Sequence, residues 1–363
     1  MAGKEIPLTP YEATAARQHL ARPAPRPKTV TVDFHGHMRV AAADELVRPR
    51  VSEANVANIR YADQKTLEAR RKQDELRWRH LTEVEERLAD MDGMGLDVMA
   101  VSCAPGQFYY QAEPSLGAES SQIINDGIAA KIKNHPKRFV GIATVPLQDT
   151  ERAIAELERA ISGLGFRGVQ IGGNVEGEEL SAPRLEPFWA KCQELDIPIF
   201  IHPTSFASER LKRHTFTNII GNPLDTTVAV HYLIFDGVME RYPRLKVFLA
   251  HGGGFVAHYA ARMDHGYGAR HDCRGGITQL PGTYLKRFYV DSVVFAIDQL
   301  AFLIGKYGAD HVLAGTDYPF AMGEYDPVEH VYQVPGLAEG DREQICGLNA
   351  LALMNLDAAG FAR

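Results

Sequence analysis

The chain has 363 residues, 45% of them hydrophobic and 23% charged, a composition typical of a globular protein with room for one large domain. Its formal net charge of −7 argues against a nucleic-acid surface and offers no attraction to an anionic membrane. No apolar run approaches the roughly 20 residues of a membrane span. The four cysteines form neither a CxxC pair nor a zinc-finger spacing, so a reduced, cytoplasmic protein is expected.

The first stretch, MAGKEIPLTPYEATAARQHLARPAPRPKT, lacks the apolar core of a signal peptide. Its ARPAPRPK segment is proline-rich and basic, so residues 1–29 are expected to form an extended arm ahead of one domain at 30–363. A strand-like run at 30–35 (VTVDFH) leads into His35-Gly-His37. Residues 38–80 are long and rich in arginine, and read as the kind of βα loop in which barrel enzymes keep their specificity. Further strand-like runs follow at 97–103, 139–145, 168–172, 197–201, 246–250, 288–294 and 312–315. Helical patterns separate them. TEVEERLADMDGMG and DTERAIAELERAISGLG close on glycine, and ESSQIINDGIAAKIKNHP closes on proline. APRLEPFWAKCQELD, TTVAVHYLIFDGVMERYP and IDQLAFLIGKYG precede the fifth, sixth and eighth strands, and REQICGLNALALMNL closes the chain. Alternation of this length points to a parallel sheet. Eight repeats without a break in composition favour an α/β fold of the (β/α)8 TIM-barrel type, with an N-terminal extension and a long β1–α1 insertion.

Polar residues recur where these strands end. They are His35 and His37 in TVDFHGHM, His202 in IPIFIHPT, His251 in VFLAHGGG and Asp317 in VLAGTDYP. In a barrel all strand C-termini meet at one mouth, so these distant residues converge there. Alternate strand residues share a face, so His35 and His37 can point at one ion. His202 supplies a third nitrogen, and Asp317 ends the strand that neighbours the first in a closed barrel. Such a donor set suggests one divalent metal, by its nitrogen content zinc, with manganese the other option. Asp317 can ligate or carry a proton, or it can cap a helix. His251 reads as a general acid/base or as a group that orients a substrate oxygen, with a fourth nitrogen ligand the lesser alternative. The three glycines after it let the backbone approach a ligand and offer N–H groups to an anion. The fourth strand offers Gln170 and no lysine, so a two-metal site bridged by a carbamylated lysine is not supported. Phe108-Tyr109-Tyr110, after the second strand, wall a planar substrate or simply pack a loop. Arg262 lies in the helix-like FVAHYAARMDHG, where a surface ion pair is the ordinary fate of an arginine.

HGH, IHP, HGGG and GTDYP, in this order and strand context, resemble the metal-dependent amidohydrolase superfamily. RLADMDGMGLDVMAVS, RFVGIATVPL, DSVVF and the Arg-x-Asp-His after HGGG resemble its aminocarboxymuconate-semialdehyde decarboxylase-like branch. The likeness covers roughly residues 30–357. It implies a metal held by His35, His37, His202 and Asp317, with His251 as catalytic acid/base. It implies that Arg262 reaches into a neighbouring subunit's site to bind a substrate carboxylate, hence a homodimer. The chain departs from the semialdehyde decarboxylase itself at 38–80, which leaves the substrate open. The expected activity is nonoxidative decarboxylation of a small aromatic or muconate-like carboxylic acid. The alternatives are a metal-dependent hydrolase or hydratase on the same barrel, distinguished by water incorporation rather than carbon dioxide release, and a barrel retained only for binding.

Overall fold

The structure is a computed structural model and describes residues 25–52 and 56–361. The expected arm at 1–29 lies outside these residues except for its last five, 25–29. Eight parallel strands form the barrel wall. They are β1 (Val32–Met38), β2 (Val98–Cys103), β3 (Phe139–Gly141 continued by Ala143–Thr144) and β4 (Val169–Ile171). The second half supplies β5 (Pro198–Ile201), β6 (Lys246–Leu249), β7 (Phe288–Asp291) and β8 (Val312–Leu313). Each pairs in parallel with the next in the chain; β3 is stepped at Ile142, whose N–H donates to Val101 O at 2.8 Å.

The ring closes between β8 and β1. Phe34 N donates to Ala314 O at 3.1 Å, His37 N donates to Tyr318 O at 2.8 Å, and Gly36 bridges Tyr318. All eight strands expected from the sequence are present. β1 differs in extent, running through both histidines to Met38 instead of stopping at His35. The reason is its partner: β2 stays paired with β1 as far as Cys103, opposite Met38.

Strand alternation sorts the side chains. Phe34, Ala100, Ile142, Phe200, Phe248 and Leu313 fill the barrel interior, where the rings of Phe34, Phe200 and Phe248 meet edge-on or tilted. Ile199, Ile201, Val169, Ile171, Val247 and Leu249 face outward onto the helices. Burying each such side chain contributes roughly 1.5–3 kcal/mol. A register shift between Asp33 and Gly36 puts an extra β1 residue opposite β2. This bulge lets Phe34 enter the core while His35 and His37 both face inward above it.

Helices Pro114–Ile132, Thr150–Leu164, Glu186–Leu195, Gly221–Phe235, Val256–Ala269 and Ile297–Tyr307 cover the outside. Thr150–Leu164 shows the local logic. Asp149 caps it by accepting from Arg152 N, and Gly165 ends it at φ 73°, a backbone that a side chain would strain. The expected loop at 38–80 is instead mostly helical, with Ala41–Val47, Ala57–Arg60 and Gln64–Thr82. Gln64–Thr82 buries only Leu81 and Thr82, so it carries no apolar stripe for sequence periodicity to reveal.

Candidate metal centre and acid/base pair

His35, His37, His202 and Asp317 come together at the mouth, each offering one ligand atom, all within 4.8 Å of one another and all buried. The imidazoles are aimed from behind. His35 Nδ1 donates to Asp291 Oδ2 at 2.6 Å, His37 Nδ1 donates to Cys103 O at 3.0 Å, and His202 Nδ1 donates to Pro203 O at 2.9 Å. Carbonyls and carboxylates only accept, so each Nδ1 carries a proton, and in the neutral ring Nε2 is left with the lone pair that a metal takes. Those three Nε2 atoms lie 3.3, 3.2 and 3.8 Å from Asp317 Oδ1. Among the described residues none of the four atoms has a hydrogen-bond partner, although all are buried. Leaving one such group unmet costs about 1–3 kcal/mol. Donor atoms around a tetrahedral ion with bonds of about 2.0–2.1 Å stand about 3.4 Å apart. The four residues therefore fit one divalent metal in both chemistry and spacing.

Electrostatics agree with this fit. Burial lowers the His37 pKa to about 4 and holds His202 well below its ordinary value, so both are neutral ligands at pH 7. Burial opposes protonation of His35 too, but the Asp317 and Asp291 carboxylates outweigh it and raise the value to about 10. Asp317 would be raised by burial, yet the charge on His35 and the adjoining His202 and His251 imidazoles hold it well below its ordinary value. In the metal-free protein the His35 proton supplies the positive charge that this carboxylate requires.

His251 joins the same group, with Nε2 3.5 Å from Asp317 Oδ2 and a side chain still 17% exposed. Its backbone φ is 55° and that of Asp317 is 56°, left-handed conformations that non-glycine residues adopt under constraint. The helix-cap alternative for Asp317 does not hold, since the next helix begins only at Pro327. The HGGG turn is also used differently from expectation. Gly252 N donates to Asp291 Oδ1 at 2.7 Å, Gly253 N to Ala250 O at 3.1 Å and Gly254 N to His251 O at 3.1 Å. These N–H groups are spent within the fold, so they do not form an anion cradle. Glycine is needed here for positive φ and space, because a Cβ on Gly254 would stand 2.2 Å from Pro223 O.

A family model described as Amidohydrolase matches residues 32–356. The chain belongs to the amidohydrolase family. The 2-amino-3-carboxymuconate-6-semialdehyde decarboxylase of Dictyostelium discoideum is 37% identical over 273 residues, 75% of this amidohydrolase and 76% of that protein. The gamma-resorcylate decarboxylase of Rhizobium sp. (strain MTP-10005) is 29% identical over 307 residues, covering 78% and 91%. Among solved structures, 5-carboxyvanillate decarboxylase from Sphingomonas paucimobilis superposes with TM-score 0.80 at 22% identity, over 91% of this chain and all of that one. A dihydroxybenzoic acid decarboxylase from Polaromonas sp. JS666, solved with manganese and 2-nitroresorcinol, superposes with TM-score 0.75 at 23% identity, over 90% and 97%.

Two further features of this amidohydrolase concern the expected site. Asp291 was quoted in the DSVVF motif but not assigned a task. It accepts from His35 Nδ1, His251 N at 2.9 Å, Gly252 N at 2.7 Å and Val293 N at 3.1 Å, and so fixes two of the five site residues at once. Its position at the end of a barrel strand was the available signal. Arg262, in contrast, is exposed on Val256–Ala269 and makes no hydrogen bond or ion pair with any described residue of its own chain.

Proposed function

We propose that this chain is a metal-dependent, nonoxidative decarboxylase acting on a small aromatic or muconate-like carboxylic acid. One observation carries the reading: four buried, unpartnered donor atoms at the mouth of an amidohydrolase barrel whose named relatives are decarboxylases. His35, His37, His202 and Asp317 would hold one divalent ion. We favour zinc from the three imidazole nitrogens; manganese, present in the Polaromonas structure, is the other option, and elemental analysis of the purified protein decides between them. When bound, the ion supplies Lewis acidity, polarising a substrate oxygen and offsetting negative charge as the reaction proceeds.

The protein's own residues would move the proton. His251 is the best placed donor, being partly exposed towards substrate and 3.5 Å from Asp317. It would protonate the carbon bearing the carboxylate, with Asp317 as its partner in the transfer. That proton replaces carbon dioxide, whose departure returns the bonding electrons to the conjugated system. Asp291 keeps His251 in place through its backbone N–H.

Arg262 would bind a substrate carboxylate in the site of a second copy of this chain. An apolar face around it supports such a dimer: Phe255 is 39% exposed, Tyr259 64% and, on the neighbouring helix, Tyr232 41%. Phe255 caps the start of the helix that carries Tyr259 and Arg262, and that helix kinks at Tyr259. The four free cysteines support a reducing, cytoplasmic setting, and no described helix is long and apolar enough to cross a membrane.

The test is carbon dioxide release from hydroxybenzoates and carboxymuconate analogues, using protein of known metal content. Release that follows metal occupancy is expected. Silence across the panel with metal fully bound would refute the decarboxylase and direct attention to incorporation of labelled water.

A further inference from the structure

A cleft of about 320 Å³ lies at the barrel mouth on the side of β2, β4 and β5, lined by the loops that follow those strands. Two of its walls come from chain segments that leave a metal ligand, His202, and the residue that orients another, Cys103. Thr204, Ser205 and Phe206 follow His202 after Pro203. Phe108 and Tyr110 follow Cys103, whose carbonyl holds His37 Nδ1. The rings of Phe108 and Tyr110 stack with centroids 5.4 Å apart at 10°, a flat wall for a flat ligand. Three residues lining the cleft, Tyr109, Glu176 and Ser205, hold left-handed backbone at φ 51°, 51° and 93°. Such constraint gathers at ligand sites, as it does at His251 and Asp317.

Asp225, in the first turns of Gly221–Phe235, also lines this cleft, and is only 3% exposed. Its carboxylate accepts from Asn174 Nδ2 at 2.9 Å and, at the long distance of 3.4 Å, from Thr204 N. A carboxylate accepts about four hydrogen bonds, so capacity remains. Burial pushes its pKa up to about 7, which marks a group short of hydrogen-bond donors. Glu176 and Glu179 on the lining, against the guanidinium of Arg60, make the cleft acidic on balance and disfavour a second carboxylate there.

Resting on the decarboxylase reading above, we propose that this cleft receives the end of the substrate remote from the departing carboxylate, and that Asp225 selects for a hydroxyl or amino group on that end. The substrate class is thereby narrowed to planar acids that carry a hydrogen-bond donor away from the reacting carbon. The flat aromatic wall takes the ring or diene, and the buried carboxyl group takes the donor.

The experiment uses metal-loaded full-length protein and two readouts. Calorimetric binding of resorcinol is compared with that of 3-methoxyphenol, which lacks one donor; these rings bear no carboxylate, so the comparison is independent of turnover. Carbon dioxide release is measured for hydroxybenzoates and their methyl ethers. The wild type is expected to prefer the free hydroxyl by about tenfold, the usual worth of a hydrogen bond to a charged group. Asp225→Asn, which removes the charge and one of the two accepting oxygens, should reduce that preference several-fold without loss of metal. Phe206→Trp, a change at a half-buried wall, should weaken all ring ligands alike by filling the cleft. A preference undiminished in Asp225→Asn, or binding unaffected by Phe206→Trp, overturns the inference even where carbon dioxide is released. An Asp225-dependent preference without carbon dioxide release leaves the cleft assignment standing and removes the decarboxylase.

Discussion

Replacing Asp291 by asparagine tests how far the metal centre depends on a residue that would not touch the metal. The carboxylate divides its work evenly. Oδ2 takes His35 Nδ1 and His251 N, and Oδ1 takes Gly252 N and Val293 N. An amide has one accepting oxygen, so in either orientation its NH2 group faces two former donors. Each orphaned donor costs about 1–3 kcal/mol. If the NH2 faces His35, the ring must give up its Nδ1 proton and carry it on Nε2, which ends its service as a ligand. Loss of such an outer partner commonly weakens metal affinity by about 10–100-fold, or about 1.4–2.8 kcal/mol. Competition for zinc against a fluorescent chelator would measure this, with circular dichroism confirming the fold. Turnover at saturating metal should also fall, because His251 loses its anchor. A dissociation constant within twofold of the wild type would refute the reasoning.

Metal uptake should release protons. With His35 raised to about 10 and His37 lowered to about 4 in the metal-free protein, one proton sits in the site between those values and must leave when metal enters. Affinity should therefore rise with pH across that window, about tenfold per unit; calorimetry in buffers of different ionisation enthalpy should count about one proton, and a count of zero would show that His35 is neutral beforehand. Asp317→Asn should keep the fold, shown by an unchanged dichroism spectrum, and lose most turnover; full activity with metal retained would remove Asp317 from proton transfer. Arg262→Ala should mainly raise KM for the acidic substrate, and mixing it with a His251→Ala chain should restore some activity if each supplies what the other lacks. An unchanged KM would make Arg262 a surface residue only.

Much of this was legible in the sequence for a physical reason. Barrel strands buried on both faces must be short apolar runs, and the residues that end them must face a common mouth, so IFIHP and VLAGTD announce both fold and site. Distance along the chain was no obstacle, because closure brings β8 to β1. Asp291 was less legible, since its carboxylate acts through partners at His35, His251 and Gly252 that only folding supplies. The HGGG turn misled for the same reason: its N–H groups were visible, their acceptors were not. Residues 64–82 escaped as a helix because Leu76 and Trp78 remain 79% and 43% exposed, leaving no buried stripe. Phe108 to Tyr110 are buried, as the loop-packing reading expects, and they also line the cleft.

The seam between β8 and β1 has a consequence for how the protein is made. His35 and His37 leave the ribosome early, whereas Asp317 and the Thr316 hydroxyl that meets Asp33 at 2.5 Å are nearly the last barrel residues synthesised. Until then the nascent chain owns imidazoles without the carboxylate that completes the set. An ion held by all four residues would therefore join the first strand to the last, tying together two ends of a ring that backbone pairing alone joins over only a few residues.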